Sequence, residues 1–404
     1  MTTHKWQFAA RFRRHAFGWR SDTPMQRIKE ALAEIKLIAK KDPVLAAEGA
    51  VILLEKLSPA LEQVDSSSGA IGSAVNRAIE TLVPIIAKAN VDQATRQRWL
   101  ERLWQAFQDD GIPYIESLGD DWGDLCASPE LASQWADALL PTVENNWSPA
   151  ATSHSYFKGT PVCMALLYAA GRYDELLVLI EKAPYKWWHY RHWGVQALAA
   201  MGKKAEAIRY AEESRGVNEP VQQIAQACEA ILLSSGMLDE AYSRYALDAN
   251  QSTTNLATFR AIVKKYPHKP AADILRDLIK STPGAEGKWF AAAKTAGLFD
   301  VATELATRSS ADPRTLARAA RDFAEKRPDF AIACGMAALH GISLGYGYEI
   351  TGVEVLDAYT AVMQAASGSG VDAHRIKARI QEMIDGSPKT SRLLKEILAR
   401  HLLA

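Results

Sequence analysis

Apolar residues recur along this chain at three- and four-residue intervals, the spacing of one face of an α-helix. From Pro24 to Lys41, Ile28, Leu32, Ile35 and Ile38 share such a face, and Asp42-Pro43 supplies an N-cap followed by proline for the next helix. Ala70 to Ala89 and Ala94 to Gln108 read the same way, and Pro129 to Trp147 follows a cap at Ser128. These helices are expected either to continue a stack or to form an N-terminal bundle. Downstream, Gly345-Tyr346-Gly347-Tyr348 interrupts two helices, and Ser367-Gly368-Ser369-Gly370 separates the last repeat-like helix from a tail. Within the tail, Arg375 to Ile384 and Arg392 to Leu403 are short amphipathic helices suited to covering the apolar end of an array.

One phrase returns. It reads Ala170-Gly171-Arg172-Tyr173-Asp174-Glu175-Leu176, then Met201-Gly202-Lys203-Lys204-Ala205-Glu206-Ala207, then Ser235-Gly236-Met237-Leu238-Asp239-Glu240-Ala241, then Ala296-Gly297-Leu298-Phe299-Asp300-Val301-Ala302. The glycines advance by 31, 34 and 61 residues, so a degenerate unit is expected near position 267, where Tyr266-Pro267-His268-Lys269-Pro270 stands; a further step of 31 reaches Pro328. In each phrase an apolar helix ends at a glycine able to take a left-handed conformation, and an acidic residue opens the next helix. Ala207, Ala241 and Ala302, just inside the second helix, would let the two helices approach closely, with Tyr210, Tyr245 and Leu305 filling the gaps nearby.

On these residues, over about Tyr156 to Ala338, the chain resembles the tetratricopeptide repeat family, whose unit is a helix pair of similar length with glycine at the turn and alanine early in the second helix. The resemblance implies an all-α fold of helical hairpins stacked as a right-handed superhelical solenoid. It also implies a non-enzymatic scaffold that binds a protein or peptide on its surface. Four regions follow: a basic aromatic N-terminal segment (1–23), an N-terminal helical region (24–150), the repeats (151–345) and C-terminal capping helices (346–404).

Charge changes this picture through its placement. Forty-seven basic residues balance forty-seven acidic ones, yet the first 41 residues hold ten cations against three acids. Trp6, Phe8, Phe12, Phe17 and Trp19 interleave with them. The simplest expectation is docking as an ordinary first helix. A nucleic-acid surface is the alternative, using Arg11, Arg13 and Arg14 together with Lys264, Lys265, Lys269 and Arg276. Between Leu103 and Phe157 there is no Lys or Arg but nine acids, punctuated by Trp104, Trp122, Trp135 and Trp147, a composition that suits a basic partner.

The aromatic knot Tyr185 to Trp193 is expected on the first helix of a repeat. There Trp188 would share a face with His192, and Trp187 with Tyr190 and Arg191. Trp187, Trp188, Tyr190, Arg191 and His192 are the candidate partner-binding residues, against the plainer reading of inter-repeat packing. His189 and His192 have no carboxylate or further histidine near them in sequence, so no metal site is read there. Glu116, Asp120, Asp121 and Asp124 form the only dense carboxylate group that could bind a cation, against the plainer reading of capping acids in a loop. No phosphate-binding glycine loop, nucleophile elbow or zinc-protease helix occurs, and no catalytic residue or cofactor is assigned.

Cys126, Cys163, Cys228 and Cys334 lie far apart in Ala/Leu/Ile-rich contexts, as small buried hydrophobes do. The first twenty residues lack the apolar core of a secretory signal, and runs such as Ala50 to Leu54 are too short to span a bilayer. A cytoplasmic location without a transmembrane segment is expected.

Overall fold

In a computed structural model, which describes residues 4–148, 157–216, 220–386 and 392–403, the glycine of every repeated phrase has a positive φ. The values are 73° at Gly171, 80° at Gly202, 74° at Gly236 and 74° at Gly297. The hydrogen bonds around them are the same four times over. At Gly171 the glycine N–H donates to Tyr168 O (3.0 Å) and the next N–H, of Arg172, reaches back to Leu167 O (2.9 Å). This is the double closure that ends a helix on a left-handed residue. A side chain there would meet no neighbour, so the glycines are demanded by backbone conformation and not by space.

Two compact units result, Met1–Pro220 and Val221–Ala404. Among the described residues both are helical and neither contains a strand. The first unit holds α1 (Asp22–Ala39), α2 (Pro43–Leu61), α3 (Ala70–Ala87), α4 (Gln93–Gln108), α5 (Trp122–Cys126), α6 (Pro129–Asn146), α7 (Gly159–Ala169), α8 (Tyr173–Glu181), α9 (Trp188–Ala200) and α10 (Lys204–Glu212). The second holds α11 (Val221–Ser234), α12 (Leu238–Ala249), α13 (Asn255–Lys265), α14 (Ala271–Lys280), α15 (Phe290–Thr295), α16 (Phe299–Arg308), α17 (Pro313–Phe323), α18 (Pro328–Ser343), α19 (Gly352–Ser369), α20 (Ala373–Gly386) and α21 (Arg392–Leu403).

From α7 to α18 the helices fall into successive pairs at the expected registers, the degenerate one included: α13 and α14 flank Tyr266 to Pro270. Ala207, Ala241 and Ala302 are fully buried where paired helices meet, with Tyr245 and Leu305 buried nearby. Asp42 and Ser128 cap α2 and α6 through their side chains, as the sequence predicts. α19 departs from expectation. It runs through Ser367, Gly368 and Ser369 and stops only at Gly370, whose φ is 75°. The tail helices pack within the second unit through Ile376, Ile380 and Ile384 of α20 and Leu394 and Leu398 of α21.

The N-terminal segment docks, though not as an ordinary helix. After a short 3-10 turn at Phe8–Ala10 it runs irregularly over α1 and α2. Trp6, Phe8, Phe12 and Phe17 are buried, each worth roughly 1.5–3 kcal/mol. Gly49 of α2 makes room for Trp6, since a Cβ there would lie 2.3 Å from the indole. The backbone N–H groups of Gln7 and Phe8 donate to the Glu34 carboxylate at 2.8 and 3.2 Å.

Ala70–Ala87 is the one helix among the described residues long and apolar enough to cross a bilayer, with a mean hydropathy of 1.2. Its apolar face, Ile71, Val75, Ile79, Leu82 and Ile86, packs inside the first unit. The Arg96 guanidinium, itself buried, caps the carboxyl end of this helix, donating to Ile86 O (2.6 Å) and Ala89 O (2.7 Å).

Candidate functional site

The two features that stand apart in the sequence, the aromatic knot and the acidic tryptophan-bearing stretch, meet in the first unit. A chain of rings joins them. Trp147, at the end of α6, lies 5.2 Å from Tyr190, and Tyr190 lies 5.7 Å from Trp187. Trp187 stacks on Tyr185 at 4.9 Å with the planes 10° apart. α9 begins at Trp188, so the knot straddles a helix start: Trp187 is the extended N-cap residue, and its carbonyl accepts from the N–H groups of Tyr190 and Arg191.

This local geometry divides the five partner-binding candidates. Trp188 and Tyr190 are buried, as is Arg191, whose guanidinium donates to Ser214 Oγ (2.6 Å) and Tyr210 O (3.2 Å) and lies 3.9 Å from the Tyr210 ring centroid. His192 is half-buried, with Nδ1 3.2 Å from Trp188 O. Trp187 alone of the five is well exposed, at 49%, and its stacking partner Tyr185 is exposed at 54%. Tyr185 and Trp187 therefore form an aromatic platform on a packed base. The reason is positional: Tyr185 and Trp187 precede the first helical turn, whereas Trp188 and Tyr190 enter α9, which packs against α7, α8 and α10.

Near the two histidines of α9 lies a carboxylate that sequence spacing does not place there. Asp120 follows the short 3-10 helix Glu116–Gly119, and this loop with α5 packs on α7 because Gly123 has no side chain: a Cβ would lie 2.6 Å from Ala169 Cβ and 2.8 Å from Ala165 O. Asp120 thereby comes within electrostatic reach of His189 and His192, some 70 residues later in the chain. Burial raises its carboxyl above the ordinary range while the two imidazoles pull the other way. His192 is held below its usual value by burial, with Asp120 opposing. Asp120 Oδ1 is buried without a hydrogen-bond partner, and so are the indole nitrogens of Trp122 and Trp193. Among the described residues no three His, Cys, Asp or Glu side chains are arranged to hold a metal ion.

Glu116 and Asp124 lie in the first turns of their helices, but Asp120 and Asp121 do not act as simple caps. Asp121 occupies the N-cap position of α5 without a side-chain capping bond, and burial, with Asp124, Asp120 and Glu80 repelling its charge, raises its carboxyl to about 6. Because the folded chain holds this proton more tightly than the unfolded one, stability falls as pH rises from about 4 to 6, and the whole cost is present above that range. Asp121→Asn is therefore expected to stabilise the protein at pH 7.5. After solvent screening the gain is on the order of 1 kcal/mol, and it vanishes below about pH 4. Urea midpoints of the two proteins at both pH values measure it; an equal gain at each pH would contradict the assignment.

Other acids of the stretch pair within the unit: Asp137 with Arg172 (2.6 Å) and Glu144 with Lys182 (2.8 Å). The cations of the nucleic-acid alternative are mostly paired as well. Arg11 meets Glu30 (2.7 Å), Arg14 Glu62 (3.1 Å), Lys265 Glu229 (2.8 Å), Lys269 Asp239 (3.3 Å) and Arg276 Asp273 (2.9 Å). Arg13 and Lys264 are exposed. The four cysteines are buried and form no disulfide among the described residues, with the thiols of Cys126, Cys163 and Cys334 pushed up to about 12 by burial.

Sequence reasoning passed over Glu229. It is 1% exposed on α11 and accepts from Asn250 Nδ2 (2.7 Å), Tyr266 Oη (2.6 Å) and Lys265 Nζ (2.8 Å), tying the α11–α12 pair to α13. The available signal was a lone acid among the apolar residues of Ile224 to Leu232.

Fold and site together define an all-helical protein built of successive helix pairs, compatible with a helical repeat fold. No known protein family, curated protein or solved structure matches the chain.

Proposed function

We propose that this chain is a non-enzymatic scaffold that binds a protein or peptide, and that its helix pairs stack as a right-handed superhelix of the tetratricopeptide kind. The four equivalent glycine turns support the architecture. The function rests on one observation, the exposed Tyr185–Trp187 stack on an otherwise packed aromatic base. Rigid, half-exposed aromatics are the side chains that supply most binding energy at protein interfaces. The carboxylates around Asp120 and Asp121, whose mutual repulsion a cation would relieve, favour a partner segment carrying Arg or Lys. A cytoplasmic setting accords with four cysteines that form no disulfide among the described residues.

Nucleic acid is the second reading, and it draws less support, because five of its seven candidate cations already face carboxylates. A display selection of linear peptides against the full chain tests the proposal. Selected peptides should be enriched in Arg or Lys, and Trp187→Ala should weaken them by about 2 kcal/mol, roughly thirtyfold. Peptides that bind this variant as well as the parent chain, or a homopolymer single strand that outcompetes them, would overturn it.

A further inference from the structure

Along α18, in the second unit, the residues Asp329, Ile332, Met336 and His340 recur at the three- and four-residue spacing of one helix face. That face floors a cleft of about 530 Å³. The end of α16, with Arg308, forms one wall, and α20, with Arg379 and Met383, lines it as well. Ile332, Met336 and Met383 make the floor apolar, and methionines adapt to the shape of what they meet. The cleft follows α18 for about three turns, which is the length over which a helix lays down three or four anchoring side chains.

At the mouth, Leu344 and Tyr346 are exposed at 43% and 52%, and Tyr348 beyond them at 79%. Their loop is pinned. Gly345, Gly347 and Glu349 all have positive φ, the last a strained conformation for a residue with a side chain. Arg314 holds that turn through Glu349 O (2.6 Å) and Glu354 (2.9 Å). Rings carried on a fixed loop lose little freedom on binding.

The ionisable groups lining the cleft are the guanidinium groups of Arg308 and Arg379, the imidazole of His340, which can donate a hydrogen bond, and one carboxylate, Asp329. Arg308 is paired with Glu304 of its own helix at 2.7 Å, and Arg379 is exposed. We infer that this cleft is a docking site for an amphipathic helix of another protein, whose apolar stripe lies on α18 and whose flanking acids meet Arg379 and His340. The site is separate from the Tyr185–Trp187 platform and stands whether or not that reading holds.

The probe is a labelled synthetic helix of about 18 residues with Leu at one-face spacing and Glu elsewhere, compared with a twin carrying Lys for Glu. Fluorescence anisotropy with the full chain should show the acidic helix binding and the basic twin binding at least about tenfold more weakly. Arg379→Glu should reverse that preference, and Met383→Glu, which puts a charge on the floor, should abolish binding of the acidic helix; circular dichroism confirms that both variants keep their helix content. Trp187→Ala should bind the acidic helix like the parent chain. Four outcomes would each overturn the inference: no binding of the acidic helix, binding indifferent to Arg379→Glu and Met383→Glu, binding lost with Trp187→Ala, or displacement of the helix by anionic phospholipid vesicles.

Discussion

Glu229→Ala is expected to lower the unfolding free energy by about 3–4 kcal/mol, one of the two largest losses from a single side chain in this protein. The carboxylate is buried, and it is the acceptor for the Tyr266 hydroxyl and one of two for the Asn250 amide, which also donates to Ala246 O (2.8 Å). Removing it leaves a buried hydroxyl with no acceptor and half-empties the amide, each costing its desolvation, and it leaves a cavity besides. Lys265, whose side chain is 39% exposed, recovers water and adds little. Burial and the carboxylate beside it hold the Tyr266 phenol protonated far above its usual range, so the hydroxyl stays a donor at any ordinary pH. The second variant, Tyr266→Phe, separates the contributions. Made on top of Glu229→Ala it should cost much less than it does alone, because the hydroxyl it removes has already lost its partner. Urea unfolding measures the loss, and amide exchange in α11 and α13 should quicken locally. A loss under about 1 kcal/mol would mean that the network is incidental to stability.

Trp188→Ala and Trp187→Ala, adjacent in sequence, should differ by several kcal/mol. Trp188 is 5% exposed inside α9, and truncating it should cost about 3–5 kcal/mol through lost contacts and an unfilled cavity. Trp187 is half exposed and stacks on a side chain that is itself exposed, so its removal should cost well under 1 kcal/mol. Unfolding midpoints of the two single variants check this directly. Equal large losses would place both rings in the core and remove the proposed binding platform; equal small losses would mean that α9 does not bury its first turn.

The helix pairs were legible in the sequence because their causes are local. A left-handed turn needs glycine, an N-cap needs an oxygen three residues before an amide, and an apolar stripe needs only its own spacing, so the turns at Gly171, Gly202, Gly236 and Gly297 and the caps at Asp42 and Ser128 could be placed before any packing was known. The stop at Gly370 obeys the same rule: Ser367 to Ser369 look like a linker, but helix breaks where the left-handed residue stands, and Ala365 and Ala366, buried just before them, hold that last turn in place.

What the chain alone left open was every matter of which element lies on which. The basic, aromatic N-terminus has the composition of a phosphate-binding arm, and only the gap at Gly49 and the carboxylate of Glu34 turn it into a plug for α1 and α2. Trp187 and Trp188 differ in nothing the sequence carries; one falls before the first turn of α9 and the other inside it, where α9 packs on α7, α8 and α10. Asp120 comes within electrostatic reach of His189 and His192 because α5 can approach α7 at Gly123, and Glu229 finds its partners at the ends of α12 and α13. Helix formation answers to interactions within four residues, whereas burial and pairing answer to contacts that loop closure brings together over tens of residues. The pattern of apolar positions therefore determined the helices, and their tertiary packing decided which of the unusual side chains remain at the surface to be used.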